Sequence, residues 1–214
     1  KDIQRREIRV LHSLSFIDDP TRALRAVRYA RRLGFTIAPD TRNLITTALG
    51  EGVFDRLSGQ RLRRELEFVL AEPHPTPALA LIAELGLLPA ICPELEWNEA
   101  VRSYLMEVEG QLAWYELEHI GPTPEPWALF LGGLSLYSGA GAIASLVHRL
   151  QPGAGDRHKF LALPEDTDII KRAAENNHAR SQRVQVVEER STEALLLAMA
   201  DLPLEARRSI ADAA

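Results

Sequence analysis

Residues 17–35, IDDPTRALRAVRYARRLGF, form the segment around which the rest of the chain is organised. Its opening, Asp19 followed by Pro20, predicts a helix start, because an aspartate side chain accepts unpaired backbone N–H groups and proline suits the first helical position. Gly34 marks the end of this helix. Apolar residues at helical spacing indicate one face that packs into a core. These residues are Leu24, Val27 and Leu33, with Ala23, Ala26 and Ala30 close by.

Arginines recur in the same helix at spacings of three, three and four residues. This spacing aligns their guanidinium groups in a row along one side of the helix. The formal net charge of −5 over 214 residues argues against an overall basic nucleic-acid binder. Any RNA contact must therefore use local basic patches. The row consists of Arg22, Arg25, Arg28 and Arg32.

Asp19 and Arg22 lie three residues apart, so a carboxylate and a guanidinium emerge side by side at the helix N-terminus. Cytosine and adenine each present an amino donor beside a ring-nitrogen acceptor, which such a pair complements. Uracil and guanine present the reverse order and would leave buried polar groups mismatched. The residues alone leave a second interpretation open, in which Asp19 only caps the helix, Asp18 favours its positive end and the arginines form a solvated face.

The segments DDPTRALRAVRYARRLGF (18–35) and LSGQRLRRELEFVLAEP (57–73) resemble the neck of class II tRNA nucleotidyltransferases (CCA-adding enzymes) and bacterial poly(A) polymerases. The first matches that family's ED-x-x-R motif, and Arg61 with Glu65 matches its R-x-x-x-E motif. The two motifs occur in the family's order, and the similarity covers about residues 8–95.

The resemblance implies that Asp19 and Arg22 face the base of an incoming CTP or ATP and that Asp18 steadies Arg22. Asp18 departs from the family, which usually has glutamate there. Arg25, one turn further on, would help to hold the nucleotide or its triphosphate. The residues implied in stabilising the neck are Arg28, Arg61, Arg64 and Glu65.

Nucleotidyl transfer needs carboxylates that position Mg²⁺ ions on the attacking hydroxyl and the triphosphate. In the resembled family these belong to a preceding head domain, where D-x-D follows a glycine-containing turn. The one D-x-D here, Asp166-Thr167-Asp168, lacks that turn and is interpreted as a helix-start cluster. The resemblance thus implies an N-terminal catalytic head with Mg²⁺ in the same polypeptide, a tRNA acceptor end as partner, and no activity for this chain alone.

Helical periodicity dominates, so we expect an all-α fold with helical neck, body and tail domains of the poly(A) polymerase C-terminal type. Linker-like segments at 74–77 and 121–126 suggest a neck at 1–73, a body at 74–180 and a tail at 181–214. We expect a short strand near Ile8, a turn at 36–40 and a polar loop at 151–161. Further helices are predicted at 41–49, 58–71, 78–85, 99–120, 127–137, 142–150, 164–176, 182–190 and 191–199.

Other side chains are assigned structural roles. The sequence has a single cysteine, Cys92, which excludes an internal disulfide framework and fits a reducing cytoplasm. Its side chain is predicted to be buried. The aromatic residues Tyr104, Trp114 and Tyr115 are predicted to belong to the core rather than to stack on RNA bases. The histidines lack ligand spacing, and no apolar run has membrane-spanning length. These histidines are His119, His148, His158 and His178.

Two other functions stay open. A helical RNA-binding or adaptor module would keep the arginine row and be indifferent to Asp19. A decayed hydrolase body is disfavoured, because the segment at 131–133 is Leu-Gly-Gly where some relatives carry a histidine-aspartate metal dyad. The sequence does not distinguish addition of C, of A, of CCA or of a poly(A) tail.

Overall fold

The computed structural model describes residues 2–121, 123–139, 141–176 and 179–214, and this part of the chain is almost entirely helical. The predicted all-α class is confirmed. The first half contains α1 (Asp2–Arg5), α2 (Ser15–Asp18), α3 (Thr21–Leu33), α4 (Pro39–Gly50), a 3-10 helix (Val53–Arg56), α5 (Gly59–Leu70), α6 (Thr76–Glu84) and α7 (Leu88–Ile91). The second half contains α8 (Glu99–Leu117), α9 (Pro126–Leu136), α10 (Ala142–Leu150), α11 (Ala154–Glu175), α12 (Arg180–Glu188), α13 (Thr192–Asp201) and α14 (Leu204–Ala211).

A two-residue strand, β1 (Glu7–Ile8), pairs in parallel with β2 (Thr36–Ile37). The predicted strand near Ile8 is confirmed, whereas the turn prediction is wrong for Thr36 and Ile37. Gly34 ends α3 in the left-handed region (φ +64°), which reverses the chain and brings β2 alongside β1. The parallel pairing fastens the N-terminal segment beside the C-terminal end of α3.

Helix α3 packs against α5 through small and aliphatic side chains. Leu24 and Val27 are buried on α3, and Leu62, Leu66 and Val69 are buried on α5. The N-terminal end of α5 also meets α10, so closely that a Cβ built on Gly59 would lie 2.1 Å from the carbonyl oxygen of Arg149. Helix α5 is therefore held by contacts with both α3 and α10.

The second half is built around α13, which packs against α8, α9 and α11. Glycines let α9 approach its neighbours closely: a Cβ on Gly132 would lie 2.6 Å from Leu163 Cδ1, and one on Gly133 would lie 2.9 Å from Leu197 Cδ2. The hydrophobic core is continuous from Phe16 to Ile210. The domain boundaries at 73/74 and 180/181 stay a prediction.

Helix α11 differs from two predictions made from the sequence: a polar loop up to residue 161 and a helix that starts at Pro164. It begins at Ala154, so residues 154–161 are helical rather than a polar loop, and it continues through Pro164. Pro164 lies on the exposed face, while the buried stripe Phe160, Leu163, Thr167 and Ile170 runs past it. Packing of this stripe outweighs the cost of an interior proline, about 3 kcal/mol.

The cluster Asp166-Thr167-Asp168 consequently lies in the middle of α11, so its interpretation as a helix start is wrong. Asp166 pairs with Arg190 at 3.5 Å. Helix α14 was not predicted. Tyr104 and Tyr115 are buried as expected, and Trp114 is half-buried. His178 lies outside the described residues. Within those residues, every helix is too short or too polar to span a membrane.

Candidate functional site

Asp19 caps α3, as the sequence predicts. Its backbone is extended (φ −146°, ψ 93°), and Pro20 turns into the helical region. Its Oδ1 atom accepts hydrogen bonds from the backbone N–H of Thr21 at 3.1 Å and from the Thr21 hydroxyl at 2.6 Å. The carboxylate is therefore fixed by the first residues of its own helix.

The two oxygens of the Asp19 carboxylate have different surroundings. Oδ1 also accepts a hydrogen bond from Arg61 Nη2 at 3.1 Å, which gives it three donors. Oδ2 lies 3.4 Å from Arg25 Nη2 and 3.9 Å from Arg22 Nε. Since a carboxylate oxygen has about two lone-pair sites, Oδ1 is saturated. Oδ2, beside Arg22, has capacity for a further donor.

Asp19 stays ionised at neutral pH. Partial burial raises the pKa of its carboxyl, but hydrogen bonds from Thr21 and the charges of Arg25 and Arg61 outweigh that effect. The net pKa lies below the ordinary aspartate value. The group is thus a hydrogen-bond acceptor throughout the physiological pH range.

Arg22 is held by Ser15, a residue that the sequence analysis missed. Arg22 Nη1 donates to the Ser15 backbone oxygen at 3.2 Å and to the Ser15 hydroxyl at 3.1 Å. Asp18, expected to steady Arg22, is exposed at the end of α2 and is absent from the contacts of Arg22 among the described residues. The support comes from Ser15 because the chain turns between α2 and α3 and brings the start of α2 beside Arg22.

Arg25 joins α3 to α5. Its Nε donates to Glu65 Oε1 at 2.9 Å, and its Nη2 donates to the Thr21 hydroxyl at 3.0 Å. Arg61 reaches Asp19 from α5. The spacing of Arg61 and Glu65 also permits a pair within α5. Instead, Arg61 contacts Asp19 and Glu65 contacts Arg25, both across the interface with α3.

Arg28 lies between two aromatic rings, with its guanidinium carbon 5.1 Å from the ring centroids of both Tyr29 and Phe68. Arg64 stacks on Phe68 at 5.8 Å. Arg64 thus contacts Phe68 of its own helix, which in turn contacts Arg28 of the α3 row. Arg32 pairs with Glu72 at 3.6 Å, so Arg25, Arg28 and Arg32 of the row contact α5 or the segment just after it.

The described residues contain no group of three or more His, Cys, Asp or Glu side chains arranged to hold a metal ion. The site that the structure brings together is a carboxylate and two guanidinium groups at the N-terminus of α3, supported from α2 and α5. The sequence-predicted residues in it are Asp19, Arg22, Arg25, Arg61 and Glu65, while Arg28 and Arg64 lie further along the same interface.

Several known proteins are similar in sequence to this chain. Residues 34–98 match a family described as the probable RNA and SrmB-binding site of polymerase A. The A-adding tRNA nucleotidyltransferase of Geobacter sulfurreducens is 41% identical over 135 residues, which cover 63% of this chain and 15% of that protein. The corresponding enzyme of Aquifex aeolicus is 35% identical over 118 residues, covering 55% and 14%. The multifunctional CCA protein of Aliivibrio salmonicida is 37% identical over 99 residues, covering 45% and 24%.

The fold matches solved structures over nearly its whole length. The Thermotoga maritima CCA-adding enzyme complexed with tRNA superposes with a TM-score of 0.83 at 24% identity, covering 99% of this chain and 51% of that one. A CCA-adding enzyme complexed with ATP gives 0.84 at 24% identity, covering 99% and 50%. This chain spans about half of these structures and a smaller share of the curated relatives. The chain is therefore similar in sequence and in fold to the neck and body region of class II tRNA nucleotidyltransferases.

Proposed function

We propose that this chain is the neck and body of a template-independent RNA nucleotidyltransferase that adds C and/or A to the 3′ end of tRNA. The observation that carries the proposal is the position of Asp19 Oδ2, 3.9 Å from Arg22 Nε at the start of α3. It places an acceptor and a donor side by side on a helix end that two other helices hold in place.

In this proposal, Asp19 Oδ2 accepts a hydrogen bond from the exocyclic amino group of cytosine or adenine, and Arg22 donates to the adjacent ring nitrogen. The lowered pKa of Asp19 supports the role, since the ionised carboxylate only accepts. Uracil and guanine would place an oxygen against Asp19 and an N–H against Arg22. Each mismatched group would be left without a partner, at a cost of about 1 to 3 kcal/mol.

The chemical step belongs, in this proposal, to a head domain elsewhere in the same polypeptide. Its carboxylates would bind the Mg²⁺ ions that polarise the triphosphate and the terminal hydroxyl of the RNA. We expect the 214-residue chain alone to be inactive. Asp18 and Arg25 stay candidates for contact with the nucleotide, and the helical body is the candidate surface for the tRNA acceptor end.

Addition of A is the reaction to test first. Two relatives that match this chain over 135 and 118 residues are A-adding enzymes, while the match to a multifunctional CCA protein covers 99 residues. An A-adding enzyme would act on tRNA that already ends in CC. CCA addition and CC addition would instead extend tRNA that lacks its 3′ end, and poly(A) synthesis would extend the oligo(A) primer.

The test is incorporation of each of the four ribonucleotides by the full-length protein that carries this chain. The acceptors are tRNA lacking its 3′ end, tRNA ending in CC, and an oligo(A) primer. We expect incorporation of A or C only, with loss of rate and of base choice in Arg22→Ala. Arg31→Ala, which removes an exposed arginine from the same helix, is the matched control and should behave as wild type.

An RNA-binding or adaptor module would give a different result. Arg22→Ala would then leave base choice unchanged, and Asp19→Ala would have no effect. Charge reversal at Arg25 and Arg28 would weaken RNA binding uniformly and lower its salt dependence.

A further inference from the structure

The contact between Ser15 and Arg22 gives a role to a residue outside both sequence motifs. Arg22 Nη1 has two N–H groups, and Ser15 supplies two acceptors for them, at 3.1 and 3.2 Å. Ser15 is 5% exposed, whereas the Arg22 side chain is 40% exposed. The buried residue is therefore the fixed partner, and the arginine is the one whose orientation it determines.

The backbone of Ser15 is itself tied to both sides of the site. Its N–H donates to the carbonyl of His12 at 3.2 Å, and its carbonyl accepts from the N–H of Asp19 at 3.2 Å. The same residue thus sets the position of the α2 turn, the backbone of Asp19 and the plane of the Arg22 guanidinium. With Nη1 engaged, the remaining donors of Arg22 are Nε, which is 3.9 Å from Asp19 Oδ2, and Nη2.

We infer that Ser15 is a positioning residue for nucleotide choice: its hydroxyl holds Arg22 so that the Nε donor lies beside Asp19 Oδ2. A freely rotating arginine donates wherever an acceptor lies, so it would also satisfy the carbonyl oxygen that uracil or guanine presents. Holding one nitrogen removes that freedom. The inference rests on the proposed base-recognition function and assigns part of its specificity to the start of α2.

The experiment is a double-mutant cycle in the full-length protein, with wild type, Ser15→Ala, Arg22→Ala and the double variant. The readout is kcat/KM for ATP and CTP relative to GTP and UTP on the preferred tRNA acceptor. We expect Ser15→Ala to lower this ratio about tenfold, as loss of one hydrogen bond to a charged group implies. The double variant should match Arg22→Ala, and Ser15→Thr, which keeps a hydroxyl, should restore the ratio.

The outcomes separate the two proposals. If Arg22→Ala loses base choice while Ser15→Ala keeps it, the positioning role is wrong and the proposed function stands. A Ser15→Ala effect that persists in the Arg22→Ala background also overturns the positioning role. If Arg22→Ala keeps base choice, both proposals fail. Thermal unfolding of each variant confirms that the ratios compare folded proteins.

Discussion

Glu65 on α5 accepts a 2.9 Å hydrogen bond from Arg25 Nε on α3, although the two residues lie 40 positions apart in the chain. A second link, 42 positions long, joins Arg61 on α5 to Asp19 at the start of α3. Together they tie the N-terminal turns of the two helices. The geometry of Asp19 and Arg22 therefore depends on α5 as well as on their own helix. The R-x-x-x-E residues Arg61 and Glu65 supply this support.

The strength of the Arg25–Glu65 link can be measured. Glu65 is 12% exposed and Arg25 is 40% exposed, so the pair is partly shielded from solvent. We expect a coupling of about 1 kcal/mol between Arg25→Ala and Glu65→Ala in urea unfolding, at the upper end of what exposed pairs contribute. The control is Arg102 with Glu99, an exposed pair within α8, for which we expect about 0.3 kcal/mol. Equal couplings in the two pairs would contradict a special role for the helix link.

Local rules predicted the start and end of α3 and its arginine row, because each depends on residues within one or two turns. They did not predict the partners of Arg61 and Glu65. Spacing of four residues permits a pair within α5, but the packing of α3 on α5 places Asp19 and Arg25 nearer. Ser15 was missed for a similar reason. The extended backbone of Asp19 breaks the helical spacing between Ser15 and Arg22, so no periodic rule relates them.

The predictions for α11 are wrong because local sequence signals there disagree with the tertiary packing. Glycine, proline and charged residues at 151–164 carry strong loop signals, so local propensity predicts a loop there. In the folded protein, Phe160 and Leu163 are buried against neighbouring helices, and that burial extends the helix through Pro164. Tertiary packing thus decided where the local signals conflicted.

Gly59 is predicted to be indispensable for the contact between α5 and α10. An alanine Cβ would lie 2.1 Å from the backbone oxygen of Arg149, which has no side-chain freedom to move away. We expect Gly59→Ala to lower the free energy of unfolding by about 2 kcal/mol. Gly110→Ala, at an exposed position in α8 with no atom within 4 Å of the new Cβ, should instead raise it by about 0.5 to 1 kcal/mol. The measurement is urea denaturation of both variants, and a neutral Gly59→Ala would show that the two helices are free to separate.

Cys92 is predicted to be unreactive in the folded protein. Burial, followed by its hydrogen bond to Glu94, raises the pKa of its thiol to about 12, and the residue is 0% exposed. Because the thiolate is the reactive form, labelling with a thiol reagent at pH 8 should be at least about 100-fold slower in native protein than in urea-unfolded protein. Glu94→Gln tests the contribution of the carboxylate and should increase the native labelling rate only slightly, since burial is the larger cause. Rapid labelling of the native wild type would contradict the burial of this thiol.

The Asp19 network is predicted to make the neck sensitive to acid. The pKa of this carboxyl is lower in the folded protein than its ordinary value of about 3.9. Its ionised form therefore contributes stability that is fully present above the unfolded pKa and is lost as the pH falls through the folded pKa. Asp19→Asn removes the titration while keeping a similar shape, so the stability difference between wild type and this variant should be largest at pH 5 to 7. It should shrink steadily below about pH 4.

Urea unfolding from pH 7 to pH 3 measures this stability difference, with Asp18→Asn as a control for the change in net charge. A difference that stays constant down to pH 3 would mean that Thr21, Arg25 and Arg61 do not stabilise the ionised form, and the accepting role assigned to Asp19 would lose its physical basis.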